Sequence, residues 1–313
     1  MNENELVERL LSGNKRALAR VISKIEGEDE KVAEMVSEIY PHTGEAVTVG
    51  FTGPPGVGKS SIIAKLIELY REEDKKVGVV SVDPSSPFTK GAILGDRIRL
   101  GDHFLDEDVF IRSMGSRGHL GGLAGASRLA GLAMEAYGMD VVLYETVGVG
   151  QGEVEVASAA DTVVLCLQPG AGDSVQALKA GVMEIADIIC INKADHPQAQ
   201  GTASEVRSIL EIGHELDPEA PTPPIVMTRG DNGDGVEELK ERIAEHREAL
   251  RDSGRMKERH LASIKEFILS WTTNKLEKQI QERLSREDAE LMEKVRKREL
   301  DPISAAETLY KEV

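Results

Sequence analysis

The sequence of 313 residues predicts a doubly wound α/β fold: a mostly parallel sheet, a helical cap ahead of it and a helical arm behind it. Three observations predict it. Short, β-branched, uniformly apolar runs alternate with helical stretches through the middle of the chain. A glycine-rich motif sits where the first run meets the first long helix. The texture changes near residues 44 and 253, which divides the chain into an extension over 1–44, a domain over 45–253 and an arm over 254–313.

In the extension, Leu6, Leu10 and Leu11, then Leu18, Val21, Ile22 and Ile25, fall at helical spacing. Asn14 and Glu28-Asp29 mark breaks and helix starts. The apolar runs that follow are 46–52, 77–82, 109–113, 141–144, 162–167, 188–191 and 224–226. Runs apolar throughout fit strands buried on both faces. Between them, 59–72, 120–137, 176–185, 203–216 and 236–251 read as helices. In the arm, Leu261, Ile264, Phe267, Ile268 and Trp271 form an apolar stripe on a charged helix, and Asp301-Pro302 starts a last one. Such a stripe expects a partner surface, either the domain itself or a second copy, and a homodimer is expected.

Composition excludes several classes. With 38 Lys and Arg against 55 Asp and Glu, the formal net charge is -17. A surface that acidic repels phosphate backbones, which argues against nucleic acid and anionic membrane as partners. No apolar run approaches the ~18 residues that span a bilayer. The acidic start, Met1 to Glu5, lacks the pattern of a secretory signal. Cys166 and Cys190 lie inside apolar runs, so buried free thiols and a cytoplasmic location are expected.

The segment Gly53-Pro54-Pro55-Gly56-Val57-Gly58-Lys59-Ser60 fits GxxxxGK[ST] at every fixed position, between a strand and a helix. Glycines let backbone N–H groups wrap a phosphate, and the helix N-terminus adds partial positive charge. Lys59 should reach the β- and γ-phosphates, and the Ser60 hydroxyl should sit on Mg²⁺, with Ser61 beside it. The run 188–191 leads into Asn192-Lys193-Ala194-Asp195. One carboxylate, Asp195, can accept both the N1–H and the 2-amino group of guanine. Adenine would leave it unpaired, and buried unpaired groups reject analogues strongly. The pair of motifs therefore implies GTP or GDP as ligand. Lys193 can cover the base plane, and Asn192 can tie this loop to the phosphate loop. Thr228-Arg229-Gly230 sits where a backbone amide could read the guanine oxygen.

Glu145 ends the run 141–144 where an acid would hold Mg²⁺ through water, and the Gly148 amide could sense the γ-phosphate. Asp83, after the second run, and Asp96 are further Mg²⁺ candidates; a solvated surface acid is the competing reading for each. Val149 stands where small GTPases carry a water-orienting Gln, and Gln151 is two residues on. Slow intrinsic hydrolysis completed by a partner is expected. Arg117-Gly118-His119 opens a helix, as an anion site or a plain helix entry.

The segments VDPSSP, LGDRIRL, SRGHLGGLA, ETVGVGQGEVEV, QPGAGDSVQALKAGVMEIADIICINKAD and DPISAAETLY together resemble the methylmalonyl-CoA mutase-associated GTPases, the MeaB/ArgK-like group of P-loop GTPases. The likeness runs from about residue 5 to the C-terminus. It implies that Lys59 and Ser60 hold phosphate and Mg²⁺. It also implies that Lys59, Asp83 and Glu145 serve hydrolysis, with Asp96 in the metal site. The loop over 170–179, with Asp173, Gln176 and Lys179, resembles a switch that couples nucleotide state to the mutase. The C-terminal helices resemble a dimerisation arm. The implied role is a chaperone that gates adenosylcobalamin loading and protects a cobalamin-dependent acyl-CoA mutase. Two alternatives stand beside it: a kinase or ATPase serving basic amino-acid transport, and a metal-insertion GTPase. Ser116-Arg117 and Thr228-Arg229-Gly230 depart from the group's usual Thr-Arg and Ser-Ala.

Overall fold

A computed structural model describes residues 2–27, 29–83, 101–115, 120–146, 159–170, 182–218, 221–286 and 289–312. Seven strands form one sheet: β1 Val47–Thr52, β2 Val77–Asp83, β3 Val109–Gly115, β4 Val141–Thr146, β5 Thr162–Leu167, β6 Ile188–Ile191 and β7 Ile225–Met227. Their order is β3-β2-β4-β1-β5-β6-β7, and every described pairing is parallel. The expected mostly parallel sheet is thus wholly parallel among the described strands. Parallel strands all present their C-terminal ends at one edge. The C-terminal ends of β1, β4, β5, β6 and β7 therefore lie there, around the central β1, at the edge where ligands of open α/β sheets bind.

The strands form because their side chains are buried on both faces: β4, β5 and β6 are buried at every position. One face packs Val49, Phe51, Val164, Cys166 and Cys190 against Ile62, Ile63, Leu66 and Ile67 of α4 (Lys59–Glu72) and Leu239 and Ile243 of a helix over Val236–Asp252. The opposite face packs Leu165, Leu167, Ile189 and Ile191 against Ala203 and Val206 of a helix over Ala199–Leu216. Successive residues of β5 serve opposite faces, as the two-residue repeat of a strand requires.

The chain divides into two units, Met1–Ser263 and Ile264–Val313. In the first, α1 Glu3–Leu11, α2 Lys15–Glu26 and α3 Val32–Ile39 bury one stripe each and pack against α5 (Leu120–Tyr137). Asn14 caps α2 by accepting a hydrogen bond from Ala17 N, which is why the break falls there. The remaining helices are α6 Ala199–Leu216, α7 Val236–Asp252, α8 Arg255–Arg286, α9 Ala289–Arg296 and α10 Pro302–Glu312. Asp301 caps α10, accepting from Ile303 N and Ser304 N at 3.0 Å each. Of the helix expected over 176–185, residues 182–185 form a 3-10 turn and 176–181 lie outside the described residues.

Candidate nucleotide site

β1 leaves the sheet through Gly53, whose φ is 141°. A Cβ there would lie 2.2 Å from the Cys166 carbonyl oxygen of β5, so only glycine lets the chain turn this close to its neighbour strand. The loop ends at Gly58, φ 99°, where a Cβ would lie 2.3 Å from Asn192 Nδ2. Both glycines are thus fixed by contacts that a sequence pattern does not display. Gly58 is the N-cap of α4 and makes no side-chain cap, so the first turn of the helix faces the loop hollow through its backbone.

Lys59 is buried, and its Nζ donates to Gly53 O at 2.5 Å and Pro54 O at 3.0 Å. The ammonium therefore spans the loop that would wrap a phosphate. Next along α4, Ser60 Oγ donates to Glu145 Oε1 at 2.5 Å, and both residues are buried. Glu145 reaches Ser60 because it is paired in register with Phe51, on the strand that leads into the phosphate loop. A hydroxyl and a buried carboxylate in contact are hard oxygen donors of the kind Mg²⁺ takes. The two expected ligands are therefore adjacent. Of the other metal candidates, Asp83 closes β2 by backbone, opposite Gly115, and its side chain lies outside the described ones. Asp96, Gly148, Asp173, Gln176 and Lys179 also lie outside the described residues, as do Val149, Gln151 and Arg117-Gly118-His119.

The loop after β6 is tied to the phosphate loop by one side chain. Asn192 is buried, and its Nδ2 donates to Val57 O at 2.8 Å. Its Oδ1 accepts from Gly230 N at 2.9 Å and from Thr228 Oγ1 at 3.2 Å. Lys193, in the left-handed region with φ 58°, sends Nζ to Gly56 O at 3.1 Å and to Gln168 Oε1 at 2.5 Å. Three loops, those after β1, β6 and β7, thus share hydrogen bonds through adjacent residues, and Gln168 beyond β5 joins them.

Asp195 stands at the rim, with 58% of its side chain exposed and Oδ1 3.5 Å from Arg229 Nε. The amides of residues 228–230, one of which was expected to read the guanine oxygen, are paired within the protein. Thr228 N donates to Ile191 O, Arg229 N to Asp234 O and Gly230 N to Asn192 Oδ1. Every amide of the triplet is thus donated inside the protein. Sequence reasoning missed Gln168 and the ion pairs of Arg229. Acids at 231 and 234 were the available signal for the latter.

Beneath the loops, Cys166 and Cys190 are register partners on β5 and β6, free and buried. Their mutual hydrogen bond and burial hold the Cys166 thiol well above its ordinary pKa, so it stays protonated.

A wholly parallel sheet with GxxxxGK[ST] after its central strand and NKxD two strands to one side defines the P-loop GTPase class. Within it, residues 15–285 match the family model described as methylmalonyl Co-A mutase-associated GTPase MeaB, and the chain belongs to that family of GTPases. It is 47% identical to a Pyrococcus abyssi protein provisionally designated a GTPase, over 99% of this chain and 96% of that one. It is 37% identical to the GTPase ArgK of Escherichia coli, over 81% of this chain and 78% of that protein. Among solved structures it is similar to that of a protein named LAO/AO transport system kinase, with a TM-score of 0.74, 27% identity, and coverage of 99% and 98% of the two chains.

Proposed function

We propose that the protein is a Mg²⁺-dependent GTP switch that chaperones a cobalamin-dependent acyl-CoA mutase, methylmalonyl-CoA mutase foremost, gating adenosylcobalamin loading and protecting the mutase. The observation that carries the nucleotide part is the Asn192 tie. It supports a single ligand held by both loops, with phosphates over Gly53–Ser61 and base against Lys193 and Asp195. The mutase part rests on the family. It also draws on a Mus musculus relative named methylmalonic aciduria type A homolog, 30% identical over 99% of this chain and 80% of that protein.

In this reading Lys59 leaves its loop carbonyls for the β- and γ-phosphates, countering their charge as a point cation. Ser60 and Glu145, with Asp83 and Asp96, would hold Mg²⁺, which neutralises charge on the phosphates when bound. Gly148 and the loop with Asp173, Gln176 and Lys179 answer to the γ-phosphate and pass its presence to the mutase. GTP and GDP then favour different conformers, and a mutase that prefers one is coupled to the nucleotide reciprocally. Hydrolysis by the isolated protein is slow and is stimulated by the mutase.

Exposed Ile268, Leu269, Trp271, Leu276 and Met292 support an arm that pairs with a second copy. No helix of the described residues is long and apolar enough to cross a membrane. The rival reading, a kinase for basic amino-acid transport, draws on the name of the structural relative; Asp195 argues against ATP.

A pull-down tests the proposal. With a non-hydrolysable GTP analogue bound, a cobalamin-dependent mutase should be retained, and retention should change when GDP replaces the analogue. Equal retention with both nucleotides, or none with either, would reject the switch.

A further inference from the structure

The acid that faces the base is not alone. Arg229 Nε lies 3.5 Å from Asp195 Oδ1, its Nη2 lies 3.4 Å from Asp231 Oδ2, and its Nη1 lies 3.7 Å from Asp234 Oδ2. One guanidinium thus stands among three carboxylates, in a chain of net charge -17. We propose that Arg229 is a positioning residue for base selection: it orients and holds the Asp195 carboxylate for the two donors of guanine. This rests on the reading of Asp195 as the guanine acceptor.

Arg229 is fixed by its own turn. Arg229 N donates to Asp234 O at 2.8 Å, and Arg229 O accepts from Gly233 N at 2.8 Å. Asn232 Nδ2 donates to Asp234 Oδ2 at 2.7 Å, and Asp234 N donates back to Asn232 Oδ1 at 3.0 Å. Asp234, which faces Nη1, is therefore itself anchored, and its charge steers the planar fork from that side. The loop that bears Asp195 is joined to this turn by Ala194 N donating to Thr228 O at 3.0 Å. The ion pair continues that backbone bond outward by one residue on each loop.

The distances decide between holding and capture. At 3.5 Å, Nε to Oδ1 exceeds the 2.7–3.2 Å of a good N–H···O bond, so the contact is mainly electrostatic. A carboxylate has about four acceptor sites, and one long contact leaves the outer sites for a base. Asp195 is more than half exposed, so without Arg229 its side chain would turn in solvent and face the repulsion of Asp231 and Asp234. Ordering it in advance lowers what the ligand must organise on binding.

The test is a double-mutant cycle on nucleoside diphosphate affinity, with melting temperatures for all four proteins. Asp195→Asn should lose GDP and gain xanthosine diphosphate, whose 2-oxo group meets the new amide donor. Arg229→Ala should weaken GDP by about threefold to fivefold in the otherwise native protein, the range of a partly exposed ion pair. In the Asp195→Asn background, read with xanthosine diphosphate, the same change should have almost no effect, because no carboxylate remains to hold. A merely structural role for Arg229 would weaken both backgrounds equally. Equal weakening, or none in the native background, overturns the proposal and leaves the base site standing. Unchanged GDP affinity in Asp195→Asn overturns both. Should Arg229→Ala melt early, Arg229→Lys, which keeps the charge without Nε, replaces it in the same cycle and should show an intermediate loss.

Discussion

Removing Asn192 should disconnect the two halves of the nucleotide site while leaving the sheet intact. Asn192→Ala deletes a donor to Val57 O and an acceptor for both Gly230 N and Thr228 Oγ1. Thr228 Oγ1 keeps Cys190 Sγ at 3.2 Å, so its loss is small. Val57 O and Gly230 N are left without this partner, and a buried backbone group left unsatisfied costs about 1–3 kcal/mol. Water entering the space of the missing side chain offsets part of that, which leaves about 2–3 kcal/mol for the two groups together. If the tie is what holds both loops for one ligand, that loss appears in binding as a fall in GDP affinity of about 30- to 150-fold. Anisotropy of a fluorescent GDP analogue reads the affinity, and a urea titration reads the stability of the rest. An affinity within threefold of the native protein would refute the view that Asn192 joins the loops functionally.

Further substitutions probe the other contacts. Gly53→Ala forces a Cβ to 2.2 Å from Cys166 O at φ 141°, which should destabilise the fold by about 2–4 kcal/mol, seen as a drop in melting temperature of several degrees. Glu145→Gln keeps the shape beside Ser60 but removes the charge, so the Mg²⁺ concentration for half-maximal GTP hydrolysis should rise by about tenfold or more; an unchanged Mg²⁺ titration would remove Glu145 from the metal site. His260 Nε2 lies 2.7 Å from Asp161 Oδ1, and that hydrogen bond raises the imidazole pKa above 6.5 despite partial burial. The stability it contributes is full below about 6.5 and is lost as pH rises through the raised folded value. His260→Asn should therefore flatten the pH dependence of the urea midpoint above about pH 6.5; an unaltered slope would assign that dependence elsewhere.

The parts most legible in the sequence were those dictated by local pattern. β5 and β6 fall on residues 162–167 and 188–191 as expected, because strands buried on both faces read as unbroken apolar runs. Helix α4 begins at Lys59 as expected, since the glycines before it permit no helix and the stripe after it faces the sheet. Edges were less legible. β7 is Ile225–Met227, one residue beyond the apolar run at 224–226 that starts on Pro224, a residue with no N–H to give a ladder. Helix α6 starts at Ala199, four residues before the periodic stretch, where Ala199 N donates to His196 O and the Pro197 turn has already set the chain direction. In the site, residue types and spacing exposed the phosphate loop and the NKAD segment. They could not show that the amides of Thr228 and Gly230 are spent internally, because those bonds join residues far apart in sequence, Thr228 to Ile191 and Gly230 to Asn192. Nor could spacing show that Gly53 is held by a carbonyl of another strand.

The central claim is that one ligand is held between the phosphate loop and an acid that reads guanine. Equilibrium competition against a labelled GDP, with unlabelled GDP and ADP at the same Mg²⁺ concentration, tests it most directly. A site that leaves Asp195 unpaired with adenine should bind ADP more weakly than GDP by on the order of a thousandfold or more. ADP competing within tenfold of GDP would contradict it.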